Sequence, residues 1–432
     1  MFLIMISIFL AGIILVALED KIGINKAASA LLMSVVLWVL VAFSGVAPDV
    51  NVPFITHLGD VSETLFFVMG SMVIVELVDT HGGFKLITDS IHTNNKRRLL
   101  WIISILTFFV SAILDNLATG IVMIALLRKL IPHRTERIIY ASMIIIAANA
   151  GGSWSPIGDV TTILLWTGGN ITPIHQISHL FLPALVSMLV PLLLVSRFFK
   201  KDASWSVARK PRDNGELLPI VSRMSRRIIL FLGVTTMAFV PIFNEWSALP
   251  PFMYVMFGVS FLWIYTDLMY GKMHQMENSV KLRVTQILSR IDMSTILFFF
   301  GILMSVAALD TSGQLITVSS YLTDHINSEL SISFLIGLMS SFVDNVALVA
   351  ATMGMYPIDP SSAAYMVNGD FWTFLAYCAV TGGSILIIGS ATGVTVMGME
   401  KISFMYYFKR FTLIALAGYV AGAGTYMLLS LI

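Results

Sequence analysis

The stretch that decides the fold is LLWIISILTFFVSAILDNLATGIVMIALLRKL, residues 99–130, an apolar run broken in its middle by Asp115-Asn116. A helix needs about 20 apolar residues to cross a bilayer core of about 30 Å, and the break leaves arms below the ~17-residue minimum. Lys and Arg collect in short cytoplasmic loops. Lys85, Lys96, Arg97 and Arg98 precede the run, and Arg128, Lys129, Arg134 and Arg137 close it, so both ends read as cytoplasmic. A segment that enters and leaves on one face with arms too short to cross is a re-entrant helical hairpin. SISFLIGLMSSFVDNVALVAATMGMY, residues 331–356, is broken the same way by Asp344-Asn345. Its flanks hold no Lys or Arg but carry Asp324, Glu329, Asp359 and Asp370, which predicts a second hairpin entering from outside.

The rest of the chain fits a membrane domain. Of 432 residues 57% are hydrophobic and 12% charged, against about 45–50% and about 25% in soluble domains. An ordinary soluble enzyme is excluded. A net charge of +1 leaves no basic excess to track a phosphate backbone, which excludes nucleic-acid binding. The single cysteine, Cys378, permits no internal disulfide and no Cys-based metal site. Spans are expected near 2–18, 28–45, 62–79, 138–168, 178–197, 228–244, 251–268, 293–310, 371–399 and 411–431. The amino-terminal MFLIMISIFLAGIILVAL has no basic n-region and no small-residue cleavage site, and reads as a retained first span. The expected fold class is therefore an all-α integral membrane protein, with about ten spans, two re-entrant hairpins and two interrupted helices in the lipid bilayer. In that layout every Lys and Arg lies in or borders a cytoplasmic segment, and both termini lie outside. A multi-pass position in a bacterial inner membrane is expected.

Residues roughly 230 apart match in type. Leu65-Phe-Phe…Gly70…Asp79-Thr80 returns as Leu297-Phe-Phe…Gly301…Asp310-Thr311, and Ser111…Asp115-Asn116 as Ser340…Asp344-Asn345. Gly151-Gly152-Ser153…Gly158…Thr161 returns as Gly382-Gly383-Ser384…Gly389…Thr392. The layout separates equivalent positions by five spans, so the copies run in opposite senses, an inverted repeat with a site between the halves at mid-depth. The halves are 1–199 and 228–432. Between them, 200–227 is a basic cytoplasmic linker carrying Lys200, Lys201, Arg209, Lys210 and Arg212. The glycines, with Pro156, are expected to permit non-helical backbone inside helices 138–168 and 371–399. Freed backbone groups are tolerated in hydrocarbon only where they line a cavity, so both hairpin tips and both breaks should meet.

What sits at those breaks is acidic and amide: Asp115, Asn116, Asp344, Asn345, Asn149 and Asp159, with Ser153, Thr161, Thr162, Ser384, Ser390 and Thr392 close by. Oxygen ligands with two or three carboxylates suit a hard, desolvated cation and repel an anion. The expected ion position is Na+ at Asp115, Asn116, Asp344 and Asn345. Burial disfavours a bare carboxylate charge, and either a proton or a cation neutralises it. The two compete for the same oxygens, which gives proton-coupled cation antiport without covalent chemistry. No cofactor is needed; the transported species are Na+ or Li+ and H+. Glu76 and Glu63, in the third span, are candidates for a proton route.

The tips and breaks, with GGSWSPIGDVTT in the first half and GGS…GSAT in the second, resemble the NhaD-type sodium/proton antiporters of the ion-transporter superfamily, over essentially the whole chain. Dicarboxylate carriers of that superfamily put Ser-Asn-Thr at the tips, where this chain has Asp-Asn-Leu and Asp-Asn-Val. The resemblance implies Na+ or Li+ exchanged for protons, a homodimer with an elevator-like moving part, and essential polar residues at Asp115, Asn116, Asn149, Asp159, Thr161, Thr162, Asp344, Asn345 and Ser384.

Plainer readings stand beside these. Each Asp could serve as a helix N-cap, each Asn as glue between helices, and each Ser or Thr as a partner for freed backbone. A carrier of an oxyanion or dicarboxylate shares the architecture. An intramembrane aspartyl protease could use Asp115 and Asp344, but its Gly-x-Gly-Asp signature is missing. A channel needs a continuous pore, which two opposed hairpins do not provide.

Overall fold

The computed structural model describes residues 2–45, 49–83, 93, 95–131, 133–199, 222–247, 249–271, 284–326 and 328–431. Lys85, His92, His274 and most of the basic linker, Lys200 to Arg212 included, lie outside the described residues. The described elements are helices. Eight of them are long and apolar enough to cross a membrane: Lys26–Ser44, Asn51–Thr80, Lys96–Leu114, Pro173–Ser196, Arg223–Phe243, Pro251–Gly271, Met293–Thr311 and Thr412–Leu429. Phe43 and Trp246, each 82% exposed, and Leu3, 75% exposed, belong to an outward apolar surface that lipid covers and water would not. The chain is an all-helical, multi-pass integral membrane protein.

The arms around the two Asp-Asn breaks differ from each other. Glu329–Met339 and Asn345–Met355 are 11 residues each, about 16 Å of helix and too short to cross alone. Asn116–Leu130 has 15 residues. Lys96–Leu114 has 19, longer than the arm expected from the apolar run, because the Asn95 side chain accepts the Arg98 amide 2.9 Å away and caps the helix early. Lys96, Arg97 and Arg98 thereby become its first turn. Length alone therefore does not make this arm re-entrant. Other boundaries also lie further out: the expected helix 138–168 begins at Arg134, and the helix expected at 228 begins at Arg223, inside the expected linker.

The interruptions fall close to their expected places. Arg134–Ser153 and Val160–Thr167 flank an irregular 154–159; Asp370–Gly382 and Ala391–Glu400 flank 383–390. Packing in the first part of the chain recurs in the second. Lys96–Leu114 packs along Arg134–Ser153 as Glu329–Met339 packs along Asp370–Gly382. Asn51–Thr80 lies on Pro251–Gly271, and Met293–Thr311 on Lys26–Ser44. The second arm of each Asp-Asn element packs on the far side of the other part's broken helix: Asn116–Leu130 on Ala391–Glu400, and Asn345–Met355 on Val160–Thr167. This crossed packing brings all four backbone breaks into one place.

Candidate functional site

The two tips are anchored by equivalent hydroxyls. Ser111 Oγ donates to the Ala148 carbonyl at 2.6 Å and Ser340 Oγ to the Ala379 carbonyl at 2.7 Å, tying each first arm to the broken helix beside it. Each second arm then starts at an aspartate. The Asp115 carboxylate accepts the Ala118 amide at 2.9 Å and Asp344 the Val346 amide at 3.0 Å, so both tip aspartates are N-caps of their second arms. Their backbones are unlike: Asp115 sits at φ 78°, ψ 158°, and Asp344 at φ −51°, ψ 132°.

The residue on which the tips converge is Asp159, 2% exposed. Its carboxylate accepts the Thr161 amide at 2.7 Å, capping Val160–Thr167. The Asn116 amide nitrogen of the first tip donates to Asp159 Oδ2, and the Asn345 amide nitrogen of the second tip donates to both carboxylate oxygens at 3.2 Å. The Asn116 nitrogen also reaches Asn149 Oδ1 at 3.0 Å. Asn149 in turn donates to Ser384 Oγ at 2.9 Å and Ser390 Oγ at 3.0 Å across the second break. One connected network thus holds Asn116, Asn149, Asp159, Asn345, Ser384 and Ser390. Asp115 and Asp344 flank it, each within electrostatic reach of Asp159. Among the described residues no Lys or Arg forms an ion pair with these three carboxylates; the Lys26 ammonium, seated 4.7 Å over the Phe298 ring, is the cation acting on Asp344 from a distance. Asp344 also lines a small pocket with Ile13, Val16, Phe298 and Ile302.

The other expected residues take supporting positions. Thr162 Oγ donates to the Asp159 carbonyl at 2.8 Å, and Ser153 Oγ to Ala150 in its own helix at 2.9 Å. The Thr392 hydroxyl is buried without a hydrogen-bond partner, and the equivalent Thr161 hydroxyl lies beside Asp159 without hydrogen-bond geometry. Glu76 is elsewhere, bonded to Thr80 Oγ at 3.1 Å and 3.8 Å from Arg290. Glu63 is half-buried and makes no hydrogen bond to the network.

The break glycines act differently from expectation. None of Gly151, Gly152, Gly158, Gly382, Gly383 and Gly389 has a positive φ, so conformational freedom is not their use. A Cβ at Gly151 would strike the Phe108 carbonyl, and one at Gly382 the Gly337 carbonyl. They let each broken helix touch the backbone of the arm that precedes the neighbouring Asp-Asn break.

Two residues of this region give no signal in sequence. Gln176 Nε2 donates to the carbonyls of Ser153 and Ser155, each at 3.1 Å, and Tyr407 OH donates to the Ser384 carbonyl at 2.7 Å. Both lie 23 residues after the serine they hold, but an amide and a phenol do not match by type, so the repeat hides them. A buried histidine, His81, closes helix Asn51–Thr80, with Nδ1 on the Leu77 carbonyl at 2.8 Å and Nε2 on Tyr270 OH at 3.0 Å.

An all-helical membrane protein whose broken helices and helix tips gather polar groups around buried carboxylates is a transporter by class. The chain belongs to the CitMHS citrate transporter family, whose profile matches residues 13–373. It is 43% identical over 420 residues to sodium/proton antiporter 1 of Arabidopsis thaliana, covering 96% of this chain and 70% of that one. Identity to sodium/proton antiporter 2 of the same plant is 40%, over 98% of both chains. The Na(+)/H(+) antiporter NhaD of Alkalimonas amylolytica is 28% identical over 98% of this chain and 90% of its own. The NhaD-type resemblance read from the tips and breaks is borne out by these relatives.

Proposed function

We propose that this protein is a secondary active transporter that exchanges Na+ or Li+ for H+ by alternating access. The observation that carries the reading is Asp159: a buried carboxylate, free of any arginine or lysine ion pair among the described residues, that receives the side-chain amides of Asn116 and Asn345 from both Asp-Asn breaks. A protonated Asp159 is neutral and can donate; an ionised one, with Asp115 and Asp344 beside it, forms a concentration of negative charge suited to a monovalent cation. Asn116, Asn149 and Asn345 each carry an amide oxygen as well as a nitrogen. Rotation of these amides presents oxygen to a cation, so the same residues stabilise the carboxylate in one state and ligate the ion in the other. Asp115, Asn116, Asp344 and Asn345 supply Na+ ligands, joined by Asp159, Asn149, Thr161, Thr162, Ser153 and Ser384. Glu76 and Glu63 are assigned to a proton route away from the network.

Two features support the accompanying architecture. The recurring helix pairs and crossed second arms suit an inverted repeat, 1–199 and 228–432, joined by the basic linker 200–227. The short arms of 329–339 and 345–355 suit a re-entrant hairpin. Basic flanks at 96–98 and 128–137 suit both termini lying outside; the proposed membrane is a bacterial inner one, while the two Arabidopsis relatives are plant proteins. A homodimer with an elevator-like moving part completes the proposal.

Citrate or dicarboxylate carriage is the rival that the family's description carries. An anion needs donors and positive charge, and this network centres on a carboxylate. The test is a pH-gradient assay in sealed vesicles with NaCl, LiCl, KCl, succinate and citrate added in turn. Na+ and Li+ should dissipate the gradient, and Asp159→Asn, Asp115→Asn and Asp344→Asn should each abolish the response. Gradient dissipation by potassium citrate but not by NaCl would refute the reading.

A further inference from the structure

Gln176 and Tyr407 have no part in the ion network itself, yet both are wholly buried, and each holds one of the two backbone breaks. Gln176 stands in the first turn of helix Pro173–Ser196 and Tyr407 in helix Phe404–Arg410, the elements that follow the two broken helices. The Ser153 and Ser155 carbonyls are both acceptors, so only the amide nitrogen of Gln176 can face them, and its Oε1 is left buried without a partner.

Each brace is one step from the ion-binding groups. Tyr407 fixes the Ser384 carbonyl, while the Ser384 hydroxyl takes Asn149, which takes Asn116. Gln176 fixes the Ser155 carbonyl, while the Ser155 hydroxyl donates at 2.5 Å to Ala112, three residues before Asp115. The tyrosine therefore sets the second break against the asparagine network, and the glutamine sets the first break against the first tip. Carbonyls at helix breaks that are held by a side-chain donor cannot swing, and ion selectivity depends on ligands that keep their spacing.

Building on the exchange reading above, we infer that Gln176 and Tyr407 are a matched pair of positioning residues that set cation affinity and the Na+/Li+ preference without touching the ion. Tyr407→Phe removes one hydroxyl and leaves the ring packed. In vesicles it should raise the KM for Na+ about tenfold with Vmax within about twofold of wild type, the size of one buried hydrogen bond converted to affinity, and it should change the ratio of Li+ to Na+ KM values. A merely structural role would lower the amount of active protein and hence Vmax, leaving both KM values alone. Gln176→Met should behave as Tyr407→Phe does, and Gln176→His, which keeps a ring N–H donor, should restore part of the lost affinity. Wild-type KM values for both ions in Tyr407→Phe and Gln176→Met would overturn the inference while leaving the exchange reading intact. Absence of cation-dependent exchange in the wild type would remove both. If Tyr407→Phe does not insert stably, the Gln176 pair decides.

Discussion

Asp115 gives a direct measure of how much strain the first tip stores. Its φ of 78° with ψ of 158° lies in a region that essentially only glycine occupies, and a non-glycine residue there costs of order 1–3 kcal/mol. Replacing it with glycine releases that strain. Two costs oppose the release: the lost cap to the Ala118 amide, a few tenths of a kcal/mol when glycine replaces aspartate, and the extra freedom of glycine in the unfolded chain, about 0.5–1 kcal/mol. Asp115→Gly should therefore stabilise the protein by about 1 kcal/mol. Asp344→Gly carries the same two costs with no strain to release, since φ is −51°, and should destabilise by about 1 kcal/mol. The gap of about 2 kcal/mol between the two variants is the strain itself. Cys378, the single cysteine and buried, reports unfolding in detergent through a thiol-reactive fluorophore. Asp115→Gly should melt a few degrees above Asp344→Gly, although the exchange reading proposed above expects both to lose exchange with the carboxylate. An Asp115→Gly that melts at or below Asp344→Gly would refute the reasoning.

Three more outcomes follow from buried contacts. Gly151→Ala should destabilise by about 3 kcal/mol or fail to insert, because the new Cβ meets the Phe108 carbonyl, whereas Gly424→Ala, with nothing within 4 Å, should be neutral or gain about 0.5–1 kcal/mol; equal melting temperatures for the two would contradict the close-approach account. Glu400 is buried and receives Arg128 Nε at 2.8 Å and Arg137 Nε at 2.6 Å; Arg128 is 46% exposed and screened by solvent, so Glu400→Gln should cost about 1–2 kcal/mol, mainly by leaving the largely buried Arg137 charge uncompensated, and an unchanged melting temperature would show that the cluster is dispensable. Burial holds the His81 imidazole below its ordinary value of 6.5, against the opposing bond to the Leu77 carbonyl. The unfolded chain then takes up a proton before the folded one does, so this contribution is complete above about pH 6.5 and is lost as pH falls below it. Wild type should lose more thermal stability between about pH 7.5 and about pH 5.5 than His81→Gln, and parallel pH profiles would exclude His81 as a source.

Residues that repeat by type were legible: Asp115-Asn116 and Asp344-Asn345 as helix breaks, and the two glycine-serine interruptions within a few residues of where they fall. Periodicity and charge bias carried that much, because an Asp-Asn pair inside hydrocarbon has few readings. Helix ends were less legible. The Asn95 cap adds a turn to Lys96–Leu114, and nothing in the hydropathy of 99–130 reports a cap four residues upstream of it. The use made of each glycine was also hidden, since the identity of the carbonyl a helix will touch is a tertiary fact.

The hub was the hardest to rank. Sequence placed the paired tip aspartates at the centre and Asp159 beside them, but a carboxylate that caps its own helix has one oxygen already engaged, and both tips do this. Asp159 caps as well, yet it alone also collects amides from the other elements, because the crossed packing of second arms on broken helices points Asn116 and Asn345 toward it from opposite sides. Where the first part of the chain has Asn149 and Asp159, the second has Val380 and Ser390, so the carboxylate that collects both amides has no carboxylate counterpart in the repeat, while Asp115 and Asp344 flank it as a matched pair. Under the exchange reading proposed above, that asymmetry puts the choice between ion and proton at the one carboxylate that both amides reach, with Asp115 and Asp344 beside it as further ligands.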